Sequence, residues 1–243
     1  MTVSRAMEGR GGWMDSACGS IGAPERVPRI LVVGGSPLSC PPGLIALLAE
    51  KSDAVVAVDH GLDAVLKAGL GCDLFCGDAD SVGELGARAV LRCEEGAEGP
   101  VLAVERYDPR KDFTDLSLAL RAIRERWGAA DLTCTCLSGG RPDHALAALG
   151  CLMRWKGGVQ LWEEGFIARI LRAGDAWHMR GRGGSTFSFV CLSPTGVVSE
   201  AGMEWELDHE RVELLGDLGI SNVLGSDACI DCHEGVIAAY LID

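Results

Sequence analysis

Short, mainly apolar runs alternate with segments of helical periodicity over residues 29–162. Such runs are typical of strands that are buried on both faces of a sheet. They predict strands at 30–33, 54–58, 73–76, 101–104, 132–137 and 159–162, with helices at 43–50, 62–68, 83–93, 113–127 and 142–155. The longest helix has one apolar stripe at helical spacing: Leu116, Leu120, Ile123 and Trp127. The alternation predicts a largely parallel sheet flanked by helices.

The pattern changes after residue 164. Short alternating runs follow, such as 187–192 and 236–242, and Gly, Pro, Asp and Ser interrupt them. Regularly spaced short strands predict a small antiparallel β-sandwich. The expected fold class is therefore α/β followed by all-β, with one domain over 29–164 and a second over 165–243. Residues 1–28 have no continuous apolar stretch, and we interpret them as a disordered extension that is not a signal peptide.

Composition excludes several classes of protein. The chain has 243 residues, of which 48% are hydrophobic and 23% charged, which suits one or two folded domains. Its net charge is −13 and it has no basic patch, so we expect no nucleic-acid partner. No segment approaches the ~20 apolar residues that a membrane span needs, so we expect no membrane partner.

The 11 cysteines lie mostly within apolar runs, where cysteine behaves as a small buried hydrophobe. Without a signal peptide we expect a cytoplasmic location, where disulfides are rare. One alternative comes from Cys229, Cys232 and His233, which form a CxxCH sequence that can attach a c-type haem. Haem attachment requires export, and no second CxxC pair supports a zinc site, so a haem or metal protein is the weaker interpretation.

Two carboxylates follow the strand predicted at 73–76. In extended backbone, residues two apart point to the same side, so Asp78 and Asp80 would face one site. Close carboxylates repel each other unless a cation lies between them, and Mg²⁺ prefers oxygen ligands. A polar turn without a ligand explains this segment alone equally well.

A second polar segment, residues 110–115, opens the longest predicted helix. There Lys111 could neutralise phosphate oxygens, and Asp115 could complete the ligands of a metal ion. The alternative is structural: Asp112 would be the N-cap of the helix, and the helix dipole would favour Asp115 in the first turn.

A third segment, residues 138–144, joins a predicted strand to a helix. Gly139 and Gly140 let the backbone approach a ligand, and Arg141 at the helix N-terminus would bind an anion. The alternatives are a structural Gly-Gly turn and, with less support, a triad of Ser138, His144 and Asp143 that lacks the GxSxG elbow. Parallel strands meet at one sheet edge, so the three segments together predict magnesium-dependent nucleotide chemistry without a Walker A loop.

The order and spacing of these segments resemble the thiamine pyrophosphokinase family, whose pattern is roughly DGG, GDFDS, DxDxTD and GGRxDH. The corresponding residues are Asp59-His60-Gly61, Gly77-Asp78-Ala79-Asp80-Ser81, Lys111-Asp112-Phe113-Thr114-Asp115 and Gly139-Gly140-Arg141-Pro142-Asp143-His144. In the β region, Trp205 lies in a segment similar to the family's GxxWxL, and Ser221-Asn222 resembles a later Ser-Asn.

The resemblance implies an enzyme that transfers the pyrophosphoryl group of Mg-ATP to the hydroxyl of thiamine and releases AMP. Residues 29–164 would be the ATP-binding catalytic domain, and 165–243 the thiamine-binding domain of a homodimer. The implied metal ligands are Asp78, Asp80 and Asp115, and the catalytic set adds Lys111 and Asp112, the latter as general base only if it reaches the hydroxyl. The implied ATP-binding residues are Asp59, Gly61, Ser81, Lys111, Thr114, Gly139, Gly140, Arg141, Asp143 and His144. The implied thiamine-binding residues are Trp205, Ser221 and Asn222.

Three features depart from the family pattern. His60 stands where glycine is usual, Ala79 replaces an aromatic residue, and the N-terminal extension is unusual. They leave two alternatives open: a diphosphotransferase with another alcohol acceptor, and a non-catalytic nucleotide or thiamine sensor of the same fold.

Overall fold

A computed structural model describes residues 26–37, 40–108 and 112–242. The helices are α1 (Pro42–Glu50), α2 (Gly61–Lys67), α3 (Glu84–Glu94), α4 (Asp115–Trp127) and α5 (Pro142–Leu152). The strands are β1 (Arg29–Val33), β2 (Ala54–Val58), β3 (Leu74–Gly77), β4 (Val104–Arg106), β5 (Asp131–Thr135), β6 (Val159–Glu163), β7 (Phe166–Arg172), β8 (Ala176–Arg180), β9 (Thr186–Cys191), β10 (Thr195–Met203), β11 (Leu207–Glu213), β12 (Asn222–Glu234) and β13 (Val236–Ile242).

The first six strands are parallel and lie in the order β6-β5-β1-β2-β3-β4. Alternate residues of β1 belong to two core clusters: Ile30 and Val32 pack with residues of α4 and α5, and Leu31 and Val33 with residues of α1, α2 and α3. The stripe predicted on α4 lies in the first cluster. The predicted parallel sheet, with helices on both faces, is confirmed.

Several element boundaries differ from the prediction for local backbone reasons. β5 ends at Thr135 because Cys136 has a left-handed φ of 56°, which a strand does not allow. α4 begins at Asp115 because Thr114 is its N-cap, and the Thr114 side chain accepts a hydrogen bond from Ser117 N at 3.2 Å. The strand predicted at 101–104 was placed too early, since β4 begins only at residue 104.

The remaining strands are antiparallel and continue the same sheet. β7 pairs with β6, and β13 and β9 follow beyond it. β12 pairs with two groups of strands: Asn222 and Val223 pair with β9, and the rest of the strand pairs with β10 and β8. Side chains from both groups of strands meet in one core cluster that contains Trp177, Phe187 and Ile230. The expected succession of α/β and all-β regions is confirmed, while the division at residue 164, which sheet hydrogen bonds cross, stays a prediction.

The ten cysteines of the described ranges are all free thiols. Cys229 and Cys232 are three residues apart on β12 and therefore point to opposite faces, with Cys232 buried and Cys229 partly exposed. Thiols on opposite faces cannot both bind one haem, so the strand geometry contradicts the CxxCH alternative. Within the same ranges, no helix is long and apolar enough to cross a membrane.

Candidate active site

A cleft of about 380 Å³ opens at the carboxyl ends of the central parallel strands. Its walls come from the segments that follow β1, β2 and β5 and from the first turns of α4 and α5. β2 lies on one side of β1 and β5 on the other, so the cleft is at the switch point where open α/β sheets bind ligands. Its volume is typical of a small-molecule site.

All four predicted motifs contribute to this cleft. The predicted site residues that line it are Asp59, Ser81, Thr114, Asp115, Gly139, Arg141 and His144. Those that do not line it are Gly61, Asp78, Asp80, Asp112, Gly140 and Asp143, and Lys111 lies outside the described residues. Residues 34–37 also form a wall of the cleft, which was not predicted. The sequence signal was the pair Gly34-Gly35, which ends the first apolar run.

Asp59 connects the ends of β2 and β3. Its backbone N donates to the Cys76 carbonyl at 3.0 Å, and Asp59 has a left-handed φ of 48°. Its carboxylate lies against Gly77, where an added Cβ would be 2.1 Å from Asp59 Oδ1. A side chain at this position would displace the Asp59 carboxylate, and the close approach brings Asp59 next to the segment of Asp78 and Asp80.

The segment from Asp78 to Asp80 is a turn, so the prediction of extended backbone was wrong. Ala79 has a left-handed φ of 64°, and Asp80 N donates to Asp78 Oδ1 at 3.1 Å. Arg106 supports the turn by donating to the Asp78 carbonyl at 3.1 Å and to Glu94 Oε1 at 2.9 Å. The carboxylates of Asp78 and Asp80 therefore lie on one loop after β3, which Arg106 stabilises.

Thr114 and Asp115 open α4 at the cleft. The alternative that Asp112 caps this helix was wrong, because the Thr114 hydroxyl occupies the cap position. Asp115 is consequently in the first helical turn and lines the cleft. The positive end of the helix dipole lies at the same place and favours an anionic ligand.

Glu163, at the end of β6, holds the loop that follows β5. Its carboxylate accepts hydrogen bonds from the backbone N–H groups of Cys136, Leu137 and Ser138 at 3.1, 2.8 and 3.1 Å. Burial raises the pKa of Glu163 to about 7, although the backbone hydrogen bonds act in the opposite direction. Glu163 was not predicted as a site residue, because no local sequence pattern indicates a carboxylate that reaches the loop of a neighbouring strand.

Arg141 and Asp143 form an exposed pair at the cleft mouth. Arg141 Nε lies 3.1 Å from Asp143 Oδ1, and this side-chain hydrogen bonding lowers the pKa of Asp143 to about 2. An exposed pair contributes little to stability, so the guanidinium is available to exchange its partner for a phosphate. Asp143 binds Arg141, and neither Asp143 nor Ser138 lines the cleft, which argues against the alternative triad with His144.

His60 stands on the cleft rim. Its Nδ1 lies 2.9 Å from Asp63 Oδ2 and 3.2 Å from the Ser81 carbonyl oxygen. Both oxygens are acceptors, so we infer that Nδ1 carries the proton and that Nε2 is left for solvent or a ligand. The next residue, Gly61, is buried, and an added Cβ would be 2.2 Å from the Val33 carbonyl oxygen. Gly61 is therefore required for packing beneath the cleft.

The three predicted thiamine-binding residues lie together in the antiparallel region. Asn222 Oδ1 accepts from Trp205 N at 3.1 Å, and Asn222 Nδ2 donates to the Trp205 carbonyl at 2.6 Å and to Glu200 Oε2 at 3.1 Å. Ser221 N donates to Ser188 Oγ at 2.9 Å. Asn222 thus fixes the backbone of Trp205, whose side chain remains 58% exposed.

The donors in the cleft suit Mg²⁺ if substrate oxygens complete the set. In the part of the chain that the structure describes, no group of three or more His, Cys, Asp or Glu is arranged to hold a metal. Asp59 and Asp115 bring carboxylates to the cleft, and Asp78 and Asp80 lie on the adjoining loop. Mg²⁺ is usually held by one or two carboxylates with phosphates and water, so this oxygen chemistry fits the ion.

Two protein-family models match the chain. The model described as thiamin pyrophosphokinase, catalytic domain, matches residues 45–162, and the model described as thiamin pyrophosphokinase, vitamin B1 binding domain, matches residues 178–237. The chain belongs to the thiamine pyrophosphokinase family. The first match contains Asp59, Asp115 and Arg141 of the cleft, and the second contains Trp205 and Asn222. No curated protein matches the chain at a significant level.

Solved structures of thiamine pyrophosphokinases have the same fold. The Bacillus subtilis enzyme is 25% identical, with a TM-score of 0.70 over 88% of this chain and 98% of that chain. The Candida albicans enzyme is 16% identical, with a TM-score of 0.70 over 88% and 90%. The yeast enzyme is 12% identical, with a TM-score of 0.72 over 90% and 87%. At 16% and 12% identity, the similarity to the Candida albicans and yeast enzymes shows a shared fold alone.

Proposed function

We propose that the chain is a thiamine pyrophosphokinase that works through this cleft: it transfers the pyrophosphoryl group of Mg-ATP to the hydroxyl of thiamine. The observation that carries the proposal is that one cleft, at the switch point of the sheet, is lined by residues of all four family motifs. Both domains of the family are matched in the expected order, which supports the same activity.

In this reaction the thiamine hydroxyl oxygen attacks the β-phosphorus of ATP. The bond from that phosphorus to the oxygen that bridges to the α-phosphorus breaks, and its electron pair leaves with AMP, while the hydroxyl proton is released. Such transfers depend mainly on positioning and on neutralisation of charge. Asp112 remains a candidate base if it reaches the hydroxyl.

The phosphates are held at the first turns of α4 and α5. Helix N-termini and the Arg141 guanidinium offset their charge, and Gly139 allows the backbone to come close. Lys111 keeps its proposed role as a further cation. Bound Mg²⁺ would neutralise phosphate oxygens, and Asp78, Asp80 and Asp115 are the residues that we propose as its ligands.

Thiamine binds in the antiparallel region, where the exposed indole of Trp205 stacks on a cationic ring. Exposed apolar side chains nearby in the sequence support a homodimer formed through this region: Leu214, Leu215, Leu218 and Ile220. Light scattering of the purified chain should give the mass of a dimer, and a monomer at micromolar concentration would contradict this part of the proposal. The free thiols support a reducing, cytoplasmic location.

AMP formation from Mg-ATP, with and without thiamine, tests the activity. We expect AMP and thiamine diphosphate in equal amounts, and only when thiamine is present. Asp78→Asn should abolish turnover while the chain stays folded, because asparagine keeps one acceptor oxygen for Asp80 N but loses the charge and one of the two oxygens that a metal could use. Asp208→Asn, at an exposed site in the antiparallel region, is the matched control and should retain activity.

Other outcomes would select the alternatives. ATP or thiamine binding without AMP release would indicate a sensor, and AMP release with a different alcohol would indicate another acceptor. Full activity in Asp78→Asn would contradict the metal-binding role of Asp78.

A further inference from the structure

A buried carboxylate lies beneath the cleft and belongs to none of the family motifs. Glu163 is only 8% exposed and ends β6, the strand next to β5. A buried carboxylate is costly unless donors surround it, so its hydrogen bonds indicate what it does.

Three consecutive backbone N–H groups converge on Glu163. Oε1 accepts from Leu137 at 2.8 Å and from Ser138 at 3.1 Å, and Oε2 accepts from Cys136 at 3.1 Å. Successive N–H groups of this kind form a concavity that binds anions. Here a side chain of the same chain fills that concavity, so the contacts to a substrate phosphate must come from residues further along the loop.

The same carboxylate also contacts the segment that precedes α1. Cys40 Sγ donates to Glu163 Oε2 at 3.3 Å, and Cys40 N donates to Cys136 Sγ at 3.3 Å. Cys40 lies in the sequence between the cleft wall at 34–37 and α1. From that wall, Ser36 N donates to the Cys136 carbonyl at 2.9 Å. Glu163 therefore binds both the loop after β5 and Cys40, just before α1, while Ser36 of the cleft wall binds the same loop directly.

The loop has a backbone that needs such support. Cys136 has a φ of 56°, which is unfavourable for a residue with a Cβ, and Gly139 and Gly140 follow with φ of 93° and 69°. Strained conformations persist only where the surroundings hold them. Packing is also tight, since a Cβ added to Gly34 would be 2.3 Å from Leu137 Cδ2.

We propose that Glu163 is a positioning residue for the nucleotide: it fixes residues 136–138 and thereby sets where Gly139 and Arg141 meet the phosphates. The proposal rests on the proposed function for the identity of the nucleotide. It requires that loss of the carboxylate weakens binding of ATP and leaves the use of thiamine unchanged, because the thiamine residues lie in the antiparallel region.

Glu163→Gln is the direct test. Glutamine keeps the size of the side chain but has one acceptor oxygen and turns an NH₂ group toward backbone donors. The Kd for Mg-ATP, measured by calorimetry without thiamine, should rise about tenfold or more. The KM for thiamine should change by less than about twofold. Backbone amides 136–138 should also exchange hydrogen faster. Glu164→Gln removes an exposed carboxylate at the next residue and should match the wild type in all three measurements.

The outcomes separate positioning from stability. A folded Glu163→Gln variant with wild-type affinity for ATP would overturn the proposal, and so would an equal loss in the use of ATP and thiamine. If this variant does not fold, Glu163→Asp keeps the charge on a side chain too short for all three amides, and wild-type ATP affinity there would equally overturn it. A wild-type chain that binds ATP but releases no AMP contradicts the proposed activity alone.

Discussion

We expect Glu200 to make the stability of this protein depend on pH. Its side chain is 2% exposed; Oε2 accepts from Asn222 Nδ2 at 3.1 Å, and Oε1 is buried with no hydrogen-bond partner in the described part of the chain. Burial raises the pKa of Glu200 from 4.5 to about 7, while the hydrogen bond from Asn222 acts in the opposite direction. A buried charge is poorly solvated, so the protonated form is favoured in the folded protein.

The raised pKa sets the sign of the effect. As the pH rises from 4.5 to about 7, the folded protein retains a proton on Glu200 that the unfolded chain has released. The contribution of Glu200 to the free energy of unfolding therefore falls through this window, because the unfolded chain binds fewer protons. For Glu200 alone, proton linkage gives a fall of about 2 kcal/mol between about pH 5.5 and about pH 8, and the comparison with a Glu200 variant isolates it from other groups such as Glu163.

Urea denaturation of the wild type and of Glu200→Gln across this pH range measures the effect. Glutamine removes the titration and keeps an acceptor oxygen for Asn222. The free energy of unfolding of the variant, minus that of the wild type, should rise by about 2 kcal/mol from about pH 5.5 to about pH 8. Any cost of burying the new amide is the same at every pH and cancels in this comparison.

The matched control is Glu204→Gln, since Glu204 is an exposed glutamate close to Glu200 in the sequence. The difference in free energy of unfolding between Glu204→Gln and the wild type should change by less than about 0.5 kcal/mol over this pH range. A difference between Glu200→Gln and the wild type that does not vary with pH would refute the burial argument.

Three further substitutions test the site. Asp115→Asn should lower kcat for AMP formation by on the order of 100-fold with unchanged circular dichroism, because it removes a carboxylate of the proposed metal site; wild-type kcat would contradict its role. Thr114→Ala should lower the free energy of unfolding by about 1 kcal/mol in urea melts through loss of the α4 cap, whereas Thr114→Ser should retain it. Trp205→Ala should raise the KM for thiamine about tenfold and leave the KM for ATP unchanged, and equal changes in both would argue against stacking.

The parallel half of the fold could be predicted because its signals are local. β1 is apolar at every position from Ile30 to Val33, and the structure uses both of its faces, one for each helix layer. The stripe on α4 likewise appears within one helix of sequence. Such patterns need no knowledge of which strands are neighbours.

Strand pairing in the antiparallel half could not be predicted in the same way. β12 gives its first residues, Asn222 and Val223, to β9 and the rest to β10 and β8. Nothing in the alternation of its side chains marks that change of partner, because register depends on contacts between distant segments. The sequence therefore predicted short strands and a sandwich but not their order.

Backbone conformation limited the prediction of the site in a different way. Ala79 and Cys136 both have left-handed φ values, yet neither is a glycine or an asparagine. Their conformations depend on tertiary hydrogen bonds: Arg106 donates to the Asp78 carbonyl in the first turn, and Glu163 accepts from the backbone N–H of Cys136 in the second. The local sequence pattern therefore predicted extended backbone at 78–80 and a longer β5, and both predictions were wrong.

Motif residues define the chemistry of the cleft, whereas its geometry depends on side chains that meet the backbone of a neighbouring strand. Asp59 packs against Gly77 across β2 and β3, and Glu163 binds the loop after β5 from β6. At Gly77 an added Cβ would be 2.1 Å from Asp59 Oδ1, and at Glu163 three backbone N–H groups converge on one carboxylate. Only the first of these carboxylates lies in a family motif. A substitution at Glu163 should therefore disturb the GGRxDH segment as strongly as a change inside it, although no motif search would select that position.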